Sequence, residues 1–251
     1  MEYNKNVLFL FDVDGTLSES RCKAPEKIIK MLKELRKRVK IAFVGGSDLS
    51  KQIEQMGDDL LSIFDYGFPE NGVQFYKKEN LISEESFIKY LGEENYKKMV
   101  NKLLTLLSEA DCPKKRGNFI ECRRSMINVS PVGRSCTREE RLEFFEFNKK
   151  SKVREIIVEK MEPICKELKI VCSIGGQISI DVFPVGWDKT YCLQHIKEET
   201  VIFFGDMVHK GGNDHEIYTH PRTKGIKVEG PESTIKKVNE ELKKLGIKEI
   251  E

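Results

Sequence analysis

Two aspartates, Asp12 and Asp14, follow a short apolar segment at residues 7–11 and precede Gly15 and Thr16. Side chains two positions apart on an extended segment point to the same side, so both carboxylates face one location. They repel each other unless a cation lies between them, and Mg²⁺ prefers oxygen ligands and substrate phosphates. A carboxylate beside a bound phosphate ester is also able to attack phosphorus and form an aspartyl-phosphate. The same residue types are typical of an ordinary turn, so the pair alone leaves both interpretations open.

The composition of the chain restricts the class of protein. Its 251 residues are 39% hydrophobic and 33% charged, which is typical of a soluble globular protein of one large or two small domains. Apolar runs have the length of strands, and the N-terminal residues lack a signal-peptide pattern, so we expect a cytoplasmic protein without a membrane partner. The net charge of +2 provides no general attraction to nucleic acid. The seven scattered cysteines include no Cys-x-x-Cys pair, which argues against zinc and for free thiols in a reducing cytosol.

Strand and helix patterns alternate in the first and last parts of the chain. Continuous apolar runs at residues 7–11, 41–44 and 201–204 predict buried strands, and helix-period segments separate them. Strands that alternate with helices favour a parallel sheet covered on both faces. We therefore predict an α/β core domain made of residues 1–82 and 187–251.

The pattern changes between these two parts. From about residue 83, helical stretches alternate with pairs of short strands, and Gly175-Gly176-Gln177 is typical of a hairpin turn. Thr137 followed by Glu140 fits a capping box at a helix start. This indicates an inserted α+β domain at residues 83–186, with an antiparallel sheet and helices.

Polar residues follow the predicted parallel strands at the edge where ligands bind in such sheets. Ser47 lies in a Gly-Gly-Ser-Asp turn, whose hydroxyl and N–H groups suit a phosphate, although an ordinary helix cap has the same residues. Lys189 begins a predicted helix, an unfavourable place for a cation unless a phosphate lies before it, although most lysines are simply solvated. Asp206, followed by Asn213 and Asp214, adds oxygen ligands. A single phosphate–Mg²⁺ site would use all of them.

In this order, these motifs resemble those of the haloacid dehalogenase (HAD) superfamily of phosphotransferases. The inserted domain resembles the cap of the eukaryotic-type phosphomannomutases in residues 116–121, 128–136, 139–141 and 175–184, with 186–189 following. The resemblance covers nearly the whole chain. It implies a HAD-type, Rossmann-like parallel-sheet core with an inserted α+β cap.

The resemblance also implies roles for individual residues. Asp12 is expected to be the nucleophile and Asp14 the proton donor and acceptor, with Lys189 and Ser47 completing the catalytic site. Mg²⁺ is expected to bind Asp12, the main-chain carbonyl of Asp14, and Asp206. The residues expected to contact the substrate are Arg21, Arg123, Arg134, Arg141, Ser179 and Asp181.

Residue chemistry supports this substrate site in two respects. Ser179 and Asp181 are two apart on a predicted strand, so they present a hydroxyl and a carboxylate to one side. Arg123, Arg134 and Arg141 are a local excess of cations in a nearly neutral chain, and arginine binds phosphate bidentately. An ester phosphate carries about −1.5 to −2 charge, so a sugar bisphosphate needs two cationic sites. Taken singly, each arginine is also consistent with a surface ion pair.

A second, structural cation is implied by the resemblance at Tyr218, His220 and Thr223. His220 stands where the family often has an aspartate, and imidazole is a poor ligand for a hard cation. We therefore expect this second site to be weak or lost.

The leading functional hypothesis is interconversion of mannose 1-phosphate and mannose 6-phosphate, which would feed GDP-mannose synthesis. Asp12 would be phosphorylated by a hexose 1,6-bisphosphate activator, of glucose or mannose, and cap closure would keep water from the aspartyl-phosphate. A homodimer through the cap is implied by the resemblance alone. Two other hypotheses are a sugar-phosphate phosphatase on the same scaffold and a non-catalytic sugar-phosphate binding protein.

Overall fold

The computed structural model describes residues 4–19 and 22–250. The chain forms two compact units, one from Met1–Glu84 with Gly186–Glu251 and the other from Glu85–Val185. The strands are β1 (Asn4–Phe11), β2 (Val39–Val44), β3 (Tyr66–Phe68), β4 (Gln74–Lys77), β5 (Asn80–Glu84), β6 (Ile120–Cys122), β7 (Ile127–Val129), β8 (Ile170–Gly175), β9 (Ser179–Pro184), β10 (Thr200–Gly205) and β11 (Thr223–Lys227). The helices are α1 (Glu26–Leu35), α2 (Leu49–Met56), α3 (Leu60–Ile63), α4 (Phe87–Leu91), α5 (Glu93–Glu109), α6 (Arg138–Ser151), α7 (Val153–Leu168), α8 (His215–Thr219) and α9 (Pro231–Lys244).

The first unit contains a seven-stranded sheet in the order β11-β10-β1-β2-β3-β4-β5. The five strands from β11 to β3 are parallel, which confirms the predicted α/β core. The last two strands are antiparallel, and β5 was not expected from the sequence. The side chains of Leu81 and Ile82 on β5 are exposed, so this edge strand lacks the continuous apolar run that identified the buried strands.

Strand β1 lies in the middle of this sheet, and its side chains pack on both faces. Phe9 and Phe11 belong to the core on one side, with residues of α1 and α9, whereas Leu8 and Leu10 belong to the core on the other. Alternate residues of a strand point to opposite faces, so a strand buried on both must be apolar throughout. From Val7 to Phe11 the strand is apolar, and the first polar residue after this run, Asp12, lies just beyond its carboxyl end.

The second unit contains a four-stranded antiparallel sheet in the order β6-β7-β9-β8. Helix α7 packs against β8 and β9 and against α5. The predicted capping box of Thr137 and Glu140 is confirmed at the start of α6. Across residues 4–19 and 22–250, no helix has both the length and the apolar composition that a bilayer crossing requires.

Candidate active site

Three carboxylates converge where β1 and β10 end. Asp12 follows β1, Asp206 follows β10, and Asp214 immediately precedes α8. Oxygens of the three side chains lie within 4.8 Å of one another. The backbone N–H of Asp12 donates to the carbonyl of Phe204 at 2.9 Å, so sheet pairing of the two parallel strands continues to the first of these residues. The topology thus brings together carboxylates separated by about two hundred residues in the sequence.

Lys189 places an ammonium group inside this cluster. Its side chain is 1% exposed, and Nζ donates to Asp12 and, at 2.5 Å, to Oδ1 of Asp214. The residue begins a short 3₁₀ turn, Lys189–His195, which the Asp188 side chain caps by accepting from the N–H of Thr190 at 2.8 Å. Burial opposes the ammonium form, but the two carboxylates overcome this effect and raise the pKa of Lys189. The lysine is therefore charged, and its two carboxylate partners fix its position.

The electrostatics of the cluster leave an excess of negative charge. Burial raises the pKa of Asp12 to about 7, while Lys189 opposes this shift and Asp214 adds to it. Burial, and then the neighbouring Asp214, also raise the pKa of Asp206. With all groups ionised, three carboxylates and one ammonium carry a net charge of −2. This surplus matches a divalent cation, because charged groups removed from water require partners.

The donor set also fits Mg²⁺. Oδ1 of Asp206 is buried and has no hydrogen-bond partner among the residues that the structure describes. A buried carboxylate oxygen without a partner is costly unless a cation or water satisfies it. Carboxylate oxygens are the ligands that Mg²⁺ prefers. The side chain of Asp14 is not in this carboxylate cluster.

Two glycines make room for the carboxylates. Gly15 has φ of +75°, and a Cβ atom on it would lie 2.3 Å from Oδ2 of Asp206. A Cβ on Gly205 would lie 2.6 Å from Oδ2 of Asp214. Both distances are below any van der Waals contact, so a side chain at either position would displace a member of the cluster.

Asp14 has a partner that the sequence analysis missed. Gln55, near the end of α2, donates from Nε2 to Oδ1 of Asp14 at 2.7 Å and to Oγ of Ser18 at 3.4 Å. Asp14 itself is half-buried and lies just beyond β1. A glutamine forty-one residues away carries no motif, so only the fold reveals this contact.

Ser47 follows β2 at the same edge of the sheet, as expected. Its carbonyl accepts from the N–H of Glu70 at 3.0 Å. The adjacent Asn71, with φ of 62°, donates from its side chain to the carbonyl of Trp187 at 3.4 Å. The Ser47 turn and the segment before Lys189 are thus linked through one asparagine.

In the second unit, Glu121 brings two of the predicted substrate arginines together. Its Oε1 accepts from Nε of Arg123 at 2.7 Å, and its Oε2 contacts Nε of Arg134 at 2.5 Å. Each arginine side chain is about one third exposed, at 35% and 29%. One carboxylate therefore partly balances two guanidinium groups that remain accessible to an anion.

Asn128, on β7, joins this arginine pair to the predicted sugar-binding residues. Its Oδ1 accepts from Arg134 at 2.7 Å and from the Ser179 hydroxyl at 3.2 Å. Its Nδ2 donates to Oδ1 of Asp181 at 2.5 Å. Burial raises the pKa of Asp181, although the hydrogen bond from Asn128 and the charges of the two arginines oppose the shift. Sequence reasoning assigned no role to Glu121 or Asn128, although both lie in segments 116–121 and 128–136 that carry the resemblance to the cap.

A buried arginine supports the hairpin that carries Ser179. Arg154, on α7, donates to the carbonyls of Gly175, Gly176 and Ser179 at 3.0–3.2 Å. Only 4% of the residue is exposed. Because it binds backbone oxygens rather than a carboxylate, its role is to hold the turn between β8 and β9.

The remaining predicted residues lie outside these networks. Arg141 is half-exposed in the first turns of α6 and forms no side-chain ion pair with any described residue. Arg21 is outside the described residues. In the connection from α8 to β11, the Thr223 hydroxyl donates to the carbonyl of His220 at 3.0 Å, and His220 Nδ1 accepts from the N–H of Arg222 at 3.2 Å. Tyr218 lies against Gly225 of β11.

Comparison with known proteins gives a consistent result. The eukaryotic phosphomannomutase family model matches residues 28–244. A phosphomannomutase of Encephalitozoon cuniculi is 59% identical over 254 residues, covering 100% of this chain and 99% of that protein. A phosphomannomutase of Schizosaccharomyces pombe is 50% identical, covering 95% of this chain and 93% of that protein.

Among solved structures, a HAD-superfamily sugar phosphatase of subclass IIB is similar, with a TM-score of 0.56 and 17% identity. The match covers 96% of this chain and 99% of that chain. At this identity the likeness concerns the fold, a Rossmann-like core with a cap. The family match and the full-length relatives go further, and they establish that the chain belongs to the eukaryotic phosphomannomutase family.

Proposed function

We propose that this protein is a phosphomannomutase that interconverts mannose 1-phosphate and mannose 6-phosphate through an aspartyl-phosphate. The observation that carries the proposal is the buried contact of Asp12 with Lys189 inside a carboxylate cluster at the strand ends. Membership of the phosphomannomutase family selects this reaction from the phosphoryl transfers that such a site supports.

In the proposed reaction, Asp12 attacks the phosphorus of a hexose 1,6-bisphosphate and later returns the phosphoryl group to a sugar hydroxyl. Lys189 offsets negative charge beside the attacking oxygen, and its fixed position avoids reorganisation during the reaction. Asp14 gives a proton to the leaving sugar oxygen in one half-reaction and takes one from the attacking hydroxyl in the other. Ser47 contributes its hydroxyl to the phosphate.

We propose that Asp12, Asp206 and the main-chain carbonyl of Asp14 hold Mg²⁺, and that Asp214 positions Lys189. When bound, Mg²⁺ would neutralise charge that develops on the phosphoryl oxygens. The chain itself supplies the oxygens and the surplus negative charge. We do not extend this proposal to Tyr218, His220 and Thr223, because their loop uses its hydroxyl and imidazole in local hydrogen bonds.

The arginines of the second unit are proposed to bind the phosphate that is not reacting. Arg123 and Arg134 are held side by side by Glu121 and present donors for bidentate recognition. Ser179 and Asp181 are proposed to contact sugar hydroxyls, because Asn128 fixes both side chains. The proposal extends by family resemblance to Arg21 and Arg141.

We further propose that the enzyme is a cytoplasmic homodimer activated by a glucose or mannose 1,6-bisphosphate. All seven cysteines are unpaired, which suits a reducing compartment. Light scattering in solution tests the dimer.

A coupled assay tests the reaction. With Mg²⁺ and bisphosphate present, mannose 1-phosphate is expected to give mannose 6-phosphate with little release of inorganic phosphate. Asp12→Asn should reduce turnover by about 10⁴-fold while sugar-phosphate binding persists, because the side chain keeps its shape and loses its nucleophilic oxygen. A matched variant, Asp48→Asn, alters an exposed helix cap and should retain turnover.

Two outcomes would contradict the proposal. Release of free mannose and phosphate without mannose 6-phosphate would identify a sugar-phosphate phosphatase. Binding without turnover in the wild-type protein, with Mg²⁺ and bisphosphate supplied, would identify a non-catalytic binding protein.

A further inference from the structure

Two cysteines of the second unit lie side by side. Cys165, in the last turn of α7, and Cys172, on β8, have their Sγ atoms 3.3 Å apart. Six residues separate them in the sequence, and the reversal between helix and strand at Lys169, with φ of 53°, brings them together. A disulfide bond is about 2.05 Å long, so a shortening of about 1.3 Å would join the two sulfurs. Small side-chain rotations supply a movement of that size.

The thiols are accessible to small reagents. Both are half-buried, and they line a cavity of about 580 Å³ together with Tyr90, Val158, Lys169 and Val185. The cavity lies within the second unit, where β8 is the edge strand of the sheet. A small polar oxidant is therefore able to reach the sulfur pair without unfolding of the protein.

The two sulfurs act on each other. Their hydrogen bond lowers the pKa of Cys165, against the effect of burial, and together with burial it raises the pKa of Cys172. The thiolate is the nucleophile in cysteine chemistry, so one sulfur of the pair attacks the oxidant and its neighbour at 3.3 Å is the resolving thiol.

We infer that Cys165 and Cys172 form a reactive dithiol that a peroxide oxidises to an intramolecular disulfide. In the first step the thiolate of one cysteine attacks one peroxide oxygen, the O–O bond breaks, and a sulfenic acid and hydroxide form. In the second step the sulfur of the other cysteine attacks the sulfenic sulfur, the S–O bond breaks, and the thiol proton leaves with hydroxide as water. Both cysteines are oxidised together by two electrons, and the peroxide is reduced.

The position of the bridge connects it to the strand that carries the proposed sugar ligands. Cys172 pairs with Val182 of β9, and the next residue along β8, Ser173, pairs with Asp181. The disulfide would link the end of α7 to β8, the strand that pairs with β9 at Asp181. The inference does not depend on the proposed mutase activity, because it concerns thiol chemistry alone.

The test treats the purified full-length protein with hydrogen peroxide and maps its disulfides without reduction. Trypsin releases Cys165 in peptide 161–166 and Cys172 in peptide 170–189. We expect these two peptides to appear joined, with the mass of two hydrogens lost, and to separate after a reducing agent is added. The pair should lose alkylatable thiol about tenfold faster than Cys192, whose burial raises its pKa.

Single variants distinguish the dithiol from general oxidation. Cys165→Ser and Cys172→Ser should each abolish the joined peptide and leave a sulfenic acid at the cysteine that remains. Cys122→Ser, which removes an exposed thiol of the same unit, should leave the joined peptide unchanged. The inference is overturned if peroxide oxidises other cysteines, or links separate chains, while peptides 161–166 and 170–189 stay reduced.

Discussion

The carboxylate–lysine cluster of the first unit and the arginine network of the second both combine acids with cations, but they differ in exposure. Lys189 and Asp12 have side chains that are 1% and 4% exposed. Arg123 and Glu121 have side chains that are 35% and 30% exposed. Charges interact much more strongly away from water, and removing one partner of a buried pair is correspondingly costly. Exposed pairs contribute little to stability because water and salt screen them.

This difference suits two different tasks. A group that takes part in chemistry must already be oriented when charge develops, and the buried cluster is held by short contacts and close glycines. A group that captures an anion must exchange its partner for the ligand, and the exposed network is able to do so at low cost. Charge removal in the first unit should therefore affect stability, and charge removal in the second should affect substrate binding.

The largest expected effect on stability is that of Lys189→Met. The substitution leaves Asp12 and Asp214 without their shared cation, so we expect a loss of about 3–5 kcal/mol in the free energy of unfolding near neutral pH. Urea denaturation measures this loss. The control is Lys33→Met, which removes a half-exposed lysine paired with the equally half-exposed Asp59 and should cost about 1 kcal/mol or less.

The pH dependence of the Lys189→Met effect has a defined sign. The pKa of Asp12 is raised from 3.8 to about 7 in the folded protein, so the folded state binds more protons than the unfolded state between these values. The free energy of unfolding contributed by this group therefore falls as pH rises through that window. Because Lys189 opposes the rise of this pKa, its loss should destabilise the protein more at about pH 8 than at about pH 5. An equal loss in the free energy of unfolding at about pH 8 and at about pH 5 would contradict the proposed excess of negative charge.

In the second unit, Arg134→Met should affect substrate binding more than stability. We expect the free energy of unfolding to change by about 1 kcal/mol or less, because the Glu121 pair is partly exposed. The KM for mannose 1-phosphate should rise by about 10- to 100-fold, since a charged hydrogen bond to phosphate contributes about 1.5–3 kcal/mol. Steady-state kinetics and urea denaturation of the same samples measure both quantities.

Arg116→Met provides the matched control for this variant. Arg116, whose side chain is 42% exposed, forms an ion pair with Glu140 in the same unit but belongs to neither proposed site. Its KM should equal that of the wild type. A large loss of stability in Arg134→Met with an unchanged KM would remove the proposed distinction between the two clusters.

The sequence predicted one cluster better than the other for a physical reason. Asp12, Ser47, Lys189 and Asp206 follow strands or begin turns of the core, and the topology of a parallel sheet brings such positions to one edge. Local patterns were therefore sufficient to predict that these residues lie at one edge of the sheet.

Contacts between side chains were not predictable in the same way. Glu121 and Asn128 connect the arginines because β6, β7 and β9 pair in one register, and this register follows from no local pattern. Strand β5 was missed because its exposed side chains carry no buried apolar run. The partners of the predicted site residues therefore depend on tertiary packing. The core site residues themselves were predicted from their positions at strand ends.

Gln55 provides the smallest and most selective test, because it is a neutral group of the first unit that belongs to neither cluster. Its amide donates to Oδ1 of Asp14 at 2.7 Å. It therefore orients that carboxylate without neutralising its charge. Gln55→Met should lower kcat by about 3- to 10-fold, the loss expected when one hydrogen bond of about 1 kcal/mol from an uncharged donor is removed, with little change in KM. Gln55→Glu has nearly the same shape but places a second carboxylate against Asp14, so its kcat should be lower than that of the methionine variant. A purely structural role predicts the reverse order, because the isosteric glutamate would then be the milder change. Gln194→Met, which removes an exposed amide bonded to the carbonyl of Tyr191, should leave kcat unchanged.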